Sequence, residues 1–153
     1  MLVGLKEILV LAQAGGFAVP AFNVYNMETV IGCITAAEDL HAPVILQTYS
    51  RLFKEGSGYY LASSVLAAAK KAKVPVCFHL DHGASELETT RALRYGCTGV
   101  MIDASAMDFD RNVELTRKVV EAANYVEVTV EGELGHVGTV NDGCMDEFTE
   151  PVE

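Results

Sequence analysis

Five short apolar runs recur along the chain, and each of the first four is followed by a segment with helical spacing. The runs cover residues 17–23, 44–49, 74–81, 98–103 and 126–131. Each is too short for a buried helix and is bounded by Gly, Pro or polar residues, which marks a strand. Between them, 27–39, 59–71, 85–95 and 110–123 carry apolar residues at helical intervals, and a first helix over 5–12 ends at Gly15-Gly16. In the second helix Met27, Val30, Ile31, Ile34 and Glu38 share one side. Ser85 fits an N-cap with Glu88 as its capping-box partner, and Gly96 fits the end of that helix. Residues 51–58 read as a polar loop. Strict alternation of this kind predicts right-handed strand-helix-strand units and a parallel sheet. An open doubly wound sheet and a (β/α)8 barrel both satisfy it.

The polar residues that close the runs separate these two folds. Asn23, Tyr49-Ser50, Asp81-His82, Asp103 and Glu131-Gly132-Glu133 each end a successive apolar run. In a barrel these ends converge on one face, where active sites lie; in an open sheet they spread along a line. No G-x-G-x-x-G follows the first run, which weakens the dinucleotide-binding version of the open sheet. The expected fold is therefore an α/β (β/α)8 barrel of which residues 1–153 supply about the first five strands, as the N-terminal part of one barrel domain.

The third run ends His79-Leu80-Asp81-His82-Gly83. Alternation along a strand puts Val76, Phe78 and Leu80 on one face and Cys77, His79 and Asp81 on the other. His82 and Gly83 fall where the strand opens into a loop. Ionisable groups on a buried strand face are costly unless paired or bound to something. A hydrogen-bonded His/Asp pair that caps the strand is the plainer alternative. Two imidazoles beside a carboxylate at a strand end favour a site that holds a divalent ion and moves a proton.

Composition narrows the partners. Half of the 153 residues are hydrophobic, so disorder is not expected. A net charge of −10 argues against a nucleic-acid backbone or an anionic membrane. A phosphorylated substrate stays open, because one site can be positive in an acidic chain. Cys33, Cys77, Cys97 and Cys144 have no C-x-x-C spacing and read as reduced, packed thiols. The N-terminus lacks a signal-peptide pattern, and no apolar run is long enough to span a membrane. A soluble, cytoplasmic chain is expected.

The run 76–83, Val-Cys-Phe-His-Leu-Asp-His-Gly, and the segment 130–138, Val-Glu-Gly-Glu-Leu-Gly-His-Val-Gly, together resemble the class II, metal-dependent ketose-bisphosphate aldolases. Residues 20–26, 41–46 and 101–105 fit the same family in order. The resemblance implies a lyase of carbohydrate metabolism and glycolysis. The reaction would be reversible, zinc-dependent aldol cleavage of a ketose 1,6-bisphosphate, fructose or tagatose, to glycerone phosphate and glyceraldehyde 3-phosphate. It implies that Asp81 exchanges a proton with the substrate's C4 hydroxyl and that His82 is a ligand of the catalytic Zn²⁺. Asp103 and Glu133 would hold a second divalent metal, Asn23 would contact substrate, and Ser50 would contact a phosphate. No lysine ends a strand, so the metal route fits better than a Schiff base.

Two departures accompany the resemblance. Asn141, with Asp142 beside it, stands where the family carries a proton-shuttling acid. The 153 residues are also fewer than the roughly 250 of a full barrel, so two further zinc histidines and a phosphate grip are expected outside this chain. His41 and His136 read as surface residues. Alternative readings are a catalytically inactive half-barrel acting by association and an unrelated metal-dependent barrel hydrolase. A homo-oligomer is the expected state, since open sheet edges invite pairing.

Overall fold

The structure, a computed structural model, describes residues 1–135. Helix α1 (Leu5–Gly15) precedes β1 (Ala21–Asn23), α2 (Met27–Asp39), β2 (Val44–Tyr49), α3 (Arg51–Glu55) and α4 (Gly58–Lys71). Then come β3 (Val76–Gly83), α5 (Glu86–Arg94), β4 (Gly99–Ile102), α6 (Phe109–Asn124) and β5 (Thr129–Gly132). The five strands form one sheet in the order β1-β2-β3-β4-β5, and every neighbouring pair is parallel. This is the expected α/β architecture: consecutive strand-helix units of the (β/α)8-barrel type.

The two sheet faces bury different material. Val44, Leu46, Val76, Phe78, Leu80, Val100 and Ile102 pack with helix residues such as Val30, Ile34, Val65, Ala69, Ala92 and Val119 in the main core. On the other face Ile45 and Cys77 meet Leu5 and Ile8 of α1. Burial pushes the Cys77 thiol up to about 11, against the pull of the Thr98 hydroxyl, and raises Cys97 as well. Cys33, Cys77 and Cys97 are all free. No helix among the described residues is long and apolar enough to cross a membrane.

Several elements depart from the sequence expectation, each for a physical reason. β1 begins at Ala21 rather than residue 17, because Phe17 N–H turns back to the Ala12 carbonyl and closes α1. The expected loop 51–58 contains α3, whose Phe53 is fully buried. Arg91 of α5 holds the end of α3, donating to the carbonyls of Phe53 (2.9 Å) and Lys54 (2.6 Å). That support comes from 37 or more residues away and leaves no local signal. β5 begins at Thr129, not 126, because Val126 and Val128 donate to the Ala123 carbonyl and Glu127 turns at φ 57°. In α2 the buried stripe is Val30, Ile34 and Ala37, while Met27 and Ile31 are exposed. Ser85 caps α5 through Glu88 N–H, but the Glu88 carboxylate reaches past it to Ala84 N–H at 2.8 Å.

The departure at β3 bears on the site. His82 and Gly83 stay in the strand instead of opening a loop. Leu80 pairs with Val100 and Gly83 with Ile102, so β3 spends an extra residue there. A bulge of this kind re-aims side chains and bends the strand. His82 takes it up at φ 49°, a conformation uncommon outside glycine. Gly83 permits it: an added Cβ would lie 2.5 Å from the Met101 carbonyl and 2.8 Å from Leu80.

Candidate active site at the strand ends

β1, β2 and β3 are in register, with Asn23 beside Gln47 and Tyr49 beside Asp81. Their polar ends make a continuous chain. Gln47 Nε2 donates to Asn23 Oδ1 at 2.7 Å, and Asn23 Nδ2 donates to Asp81 Oδ2 at 2.8 Å. One oxygen of Asp81 is thus fixed, and Oδ1 is 3.9 Å from His82 Nε2. Alternation alone would send Asp81 and His82 to opposite faces; the bulge brings both to the same mouth.

The other side of His82 meets β4 and β5. Its Nδ1 lies 2.9 Å from Asp103 Oδ2 and 3.7 Å from Glu133 Oε2. Asp103 Oδ1 accepts from Ser105 Oγ at 2.7 Å and from its N–H at 3.0 Å. Glu133 is held through its backbone, where Asn112 Nδ2 of α6 donates to its carbonyl at 2.8 Å. Burial alone would raise the Asp103 carboxyl, but Ser105 and His82 outweigh it and hold it below the usual range. The Asp103 hydrogen bond lifts His82 above the usual imidazole value; burial opposes this, and the charges of Asp81, Asp103 and Glu133 add to it.

One ligand atom each from His82, Asp103 and Glu133 lies within 4.8 Å of the other two. Ligands sharing one zinc sit about 2.0–2.2 Å from it, so the cluster is close to the size of a single divalent ion. An imidazole with two carboxylates suits zinc or manganese. A three-imidazole site is a different matter. Of the described histidines, His41 follows α2 and is exposed, and His79 is buried with its Nε2 3.3 Å from Glu131 Oε2.

The strand-end residues expected from sequence therefore gather at one end of the sheet. Ser50 is not one of the metal-cluster residues. It is buried, its N–H donates to the Asp81 carbonyl at 3.0 Å, and its hydroxyl makes no cap to α3. His136, Asn141, Asp142 and Cys144 lie outside the described residues. Sequence reasoning missed Gln47, Ser105 and Asn112. Only Ser105, two residues after a strand-ending aspartate, left a local signal.

A parallel strand-helix sheet with its polar groups at the strands' C-terminal ends is the plan of (β/α)8-barrel enzymes. The class-II fructose-bisphosphate aldolase family matches residues 3–153, and the chain belongs to that family. It is 48% identical over 142 residues to a fructose-bisphosphate aldolase from Thermus caldophilus, covering 93% of this chain and 46% of that protein. To the plasmid fructose-bisphosphate aldolase of Cupriavidus necator it is 41% identical over 150 residues, covering 93% and 44%. The YdjI aldolase from Escherichia coli K12 superposes with a TM-score of 0.83 at 35% identity, covering 88% of this chain and 51% of that one. The chain thus spans about half the length of the relatives it matches.

Proposed function

We propose that this chain carries part of the active site of a zinc-dependent aldolase that acts in the cytoplasm. Its reaction is reversible cleavage of a ketose 1,6-bisphosphate to glycerone phosphate and glyceraldehyde 3-phosphate. The observation that supports this most directly is the pairing of a fixed carboxylate with a metal-sized cluster at one sheet end.

In this reading Asp81 takes the proton of the C4 hydroxyl as the C3–C4 bond breaks, and the bonding electrons stay on C3. Asn23 fixes the carboxylate so that Oδ1 faces the substrate. In the condensation direction Asp81 returns the proton. His82 would hold the catalytic zinc, and Asp103 and Glu133, which stand beside it, would serve a second ion. The bound metal supplies Lewis-acid stabilisation of the charge that develops on the sugar oxygens. Ser50, whose hydroxyl caps nothing in α3, is assigned to a substrate phosphate.

Two substitutions in the intact enzyme test the roles. Asp81→Ala should lower kcat by about 10²–10⁴, the usual worth of acid-base help, with bound zinc unchanged. His82→Ala should lose zinc as well. Metal analysis that finds full zinc in His82→Ala rejects the ligand assignment.

A further inference from the structure

His79 is not among the groups assigned to the reaction, yet it is only 3% exposed. Neither of its ring nitrogens makes a well-directed hydrogen bond. Its nearest ionic neighbour is Glu131, with Nε2 3.3 Å from Oε2. That contact is unusual in its reach, because His79 is on β3, Glu131 is near the end of β5, and β4 runs between them. Gly99 of β4 makes the crossing possible. A Cβ there would lie 2.8 Å from His79 Cδ2 and 2.8 Å from Leu5 Cβ. The imidazole therefore lies over a bare stretch of β4 and is backed by α1.

We propose that His79 and Glu131 are positioning residues that tie β5 to β3 across Gly99, and so set the place of Glu133 in the metal cluster. The proposal rests on the reading of His82, Asp103 and Glu133 as metal ligands. Among the described residues β5 pairs only with β4, over four residues, so this backbone ladder by itself locates it weakly. A buried imidazole is costly without a partner, which gives His79 a strong call on Glu131. Glu133 follows directly on the end of β5, so a tie at Glu131 fixes the strand end from which Glu133 projects. Asn112 holds the Glu133 carbonyl from the helix side. The sheet-side tie through His79 completes a two-sided grip.

The test measures Mn²⁺ affinity of the full chain by electron paramagnetic resonance, together with hydrogen exchange of the β5 amides. His79→Ala and Glu131→Ala should each weaken Mn²⁺ about tenfold, within the range for supporting residues at metal sites. The double variant should be no weaker than either single one, as expected for groups acting as one unit. His79→Gln, whose amide nitrogen falls near the place of Nε2, should restore affinity to within about threefold of the parent. The β5 amides should exchange faster in His79→Ala. Losses that simply add, or unchanged affinity in His79→Ala, would overturn the proposal, as would failure of His79→Gln to rescue. Failure of the metal reading itself appears separately, as a parent chain whose Mn²⁺ binding His82→Ala does not alter. In that event the β5 exchange decides: faster exchange in His79→Ala upholds the tie and unchanged exchange rejects it.

Discussion

His82 meets three carboxylates, from Asp81, Asp103 and Glu133, within 3.9 Å. In the metal-free chain they favour its protonated form, and its pKa is raised. A raised folded-state value means that this stabilisation is complete below the unfolded imidazole value and is lost as pH rises through the folded one. The metal-free midpoint in urea should therefore fall from pH 6 towards pH 8 relative to His82→Gln, which has no proton to lose. Metal binding has the opposite dependence, because the ligand imidazole must be neutral. Mn²⁺ affinity should climb over the same interval, with a proton released on binding that titration calorimetry in two buffers would detect. A flat affinity profile from pH 6 to 8 would count against His82 as a ligand. Asp81, His82, Asp103 and Glu133 were legible in the sequence because each closes an apolar run, where a charged group has no packing role. Gln47 and Asn112 were not, since each acts through a partner 21 or more residues away. Nothing in their neighbouring residues encodes that register.

Among the elements, α2 was readable at both ends, from Met27 to Asp39, because its signals are local: Asn26 caps the start by accepting from Thr29 N–H, and His41-Ala42-Pro43 breaks the pattern after its end. α3 was not readable, since its stability depends on Arg91. The bulge in β3 was hidden for a related reason. It is a property of how β3 and β4 pair, and period-two alternation describes one strand at a time. Its dependence on Gly83 makes a prediction. Gly83→Ala would force a methyl against the Met101 carbonyl and Leu80. Overpacking of this kind costs about 1–3 kcal/mol, and relief requires the two strands to part where Asp81 and His82 emerge. The variant should lose stability in urea and also bind Mn²⁺ more weakly. Phe78→Ala, by contrast, removes a fully buried ring from the helix-facing core. It should cost about 3–5 kcal/mol while folded molecules retain their metal affinity. Equal metal affinity in Gly83→Ala and the parent would show that the bulge does not aim His82.

Across the whole molecule, the sheet of described residues has two edges, β1 and β5. Its inner face is covered by α1 at Ile45 and Cys77, whereas a cavity of about 470 Å³ opens beside Gln47, His79 and Glu131. Unpaired edges and an uncovered face promote association. The 153-residue chain should sediment as a species larger than a monomer at micromolar concentration. A sharp monomer boundary would contradict this. The order of the strands has a different consequence, one for assembly. Spatial order and chain order coincide from β1 to β5, so each strand, as it leaves the ribosome, meets a neighbour already in place. Each pairing spans one helical crossover, as in Ala21 with Ile45 and Gly99 with Thr129, so the sheet grows one strand at a time at the slow pace of parallel pairing. The metal cluster does not share that gradual growth. His82 and Asp103 are placed with β3 and β4, but Glu133 follows β5, so the three ligands meet only once β5 has docked. Uptake of the ion then waits on that step, and its binding energy falls on β5.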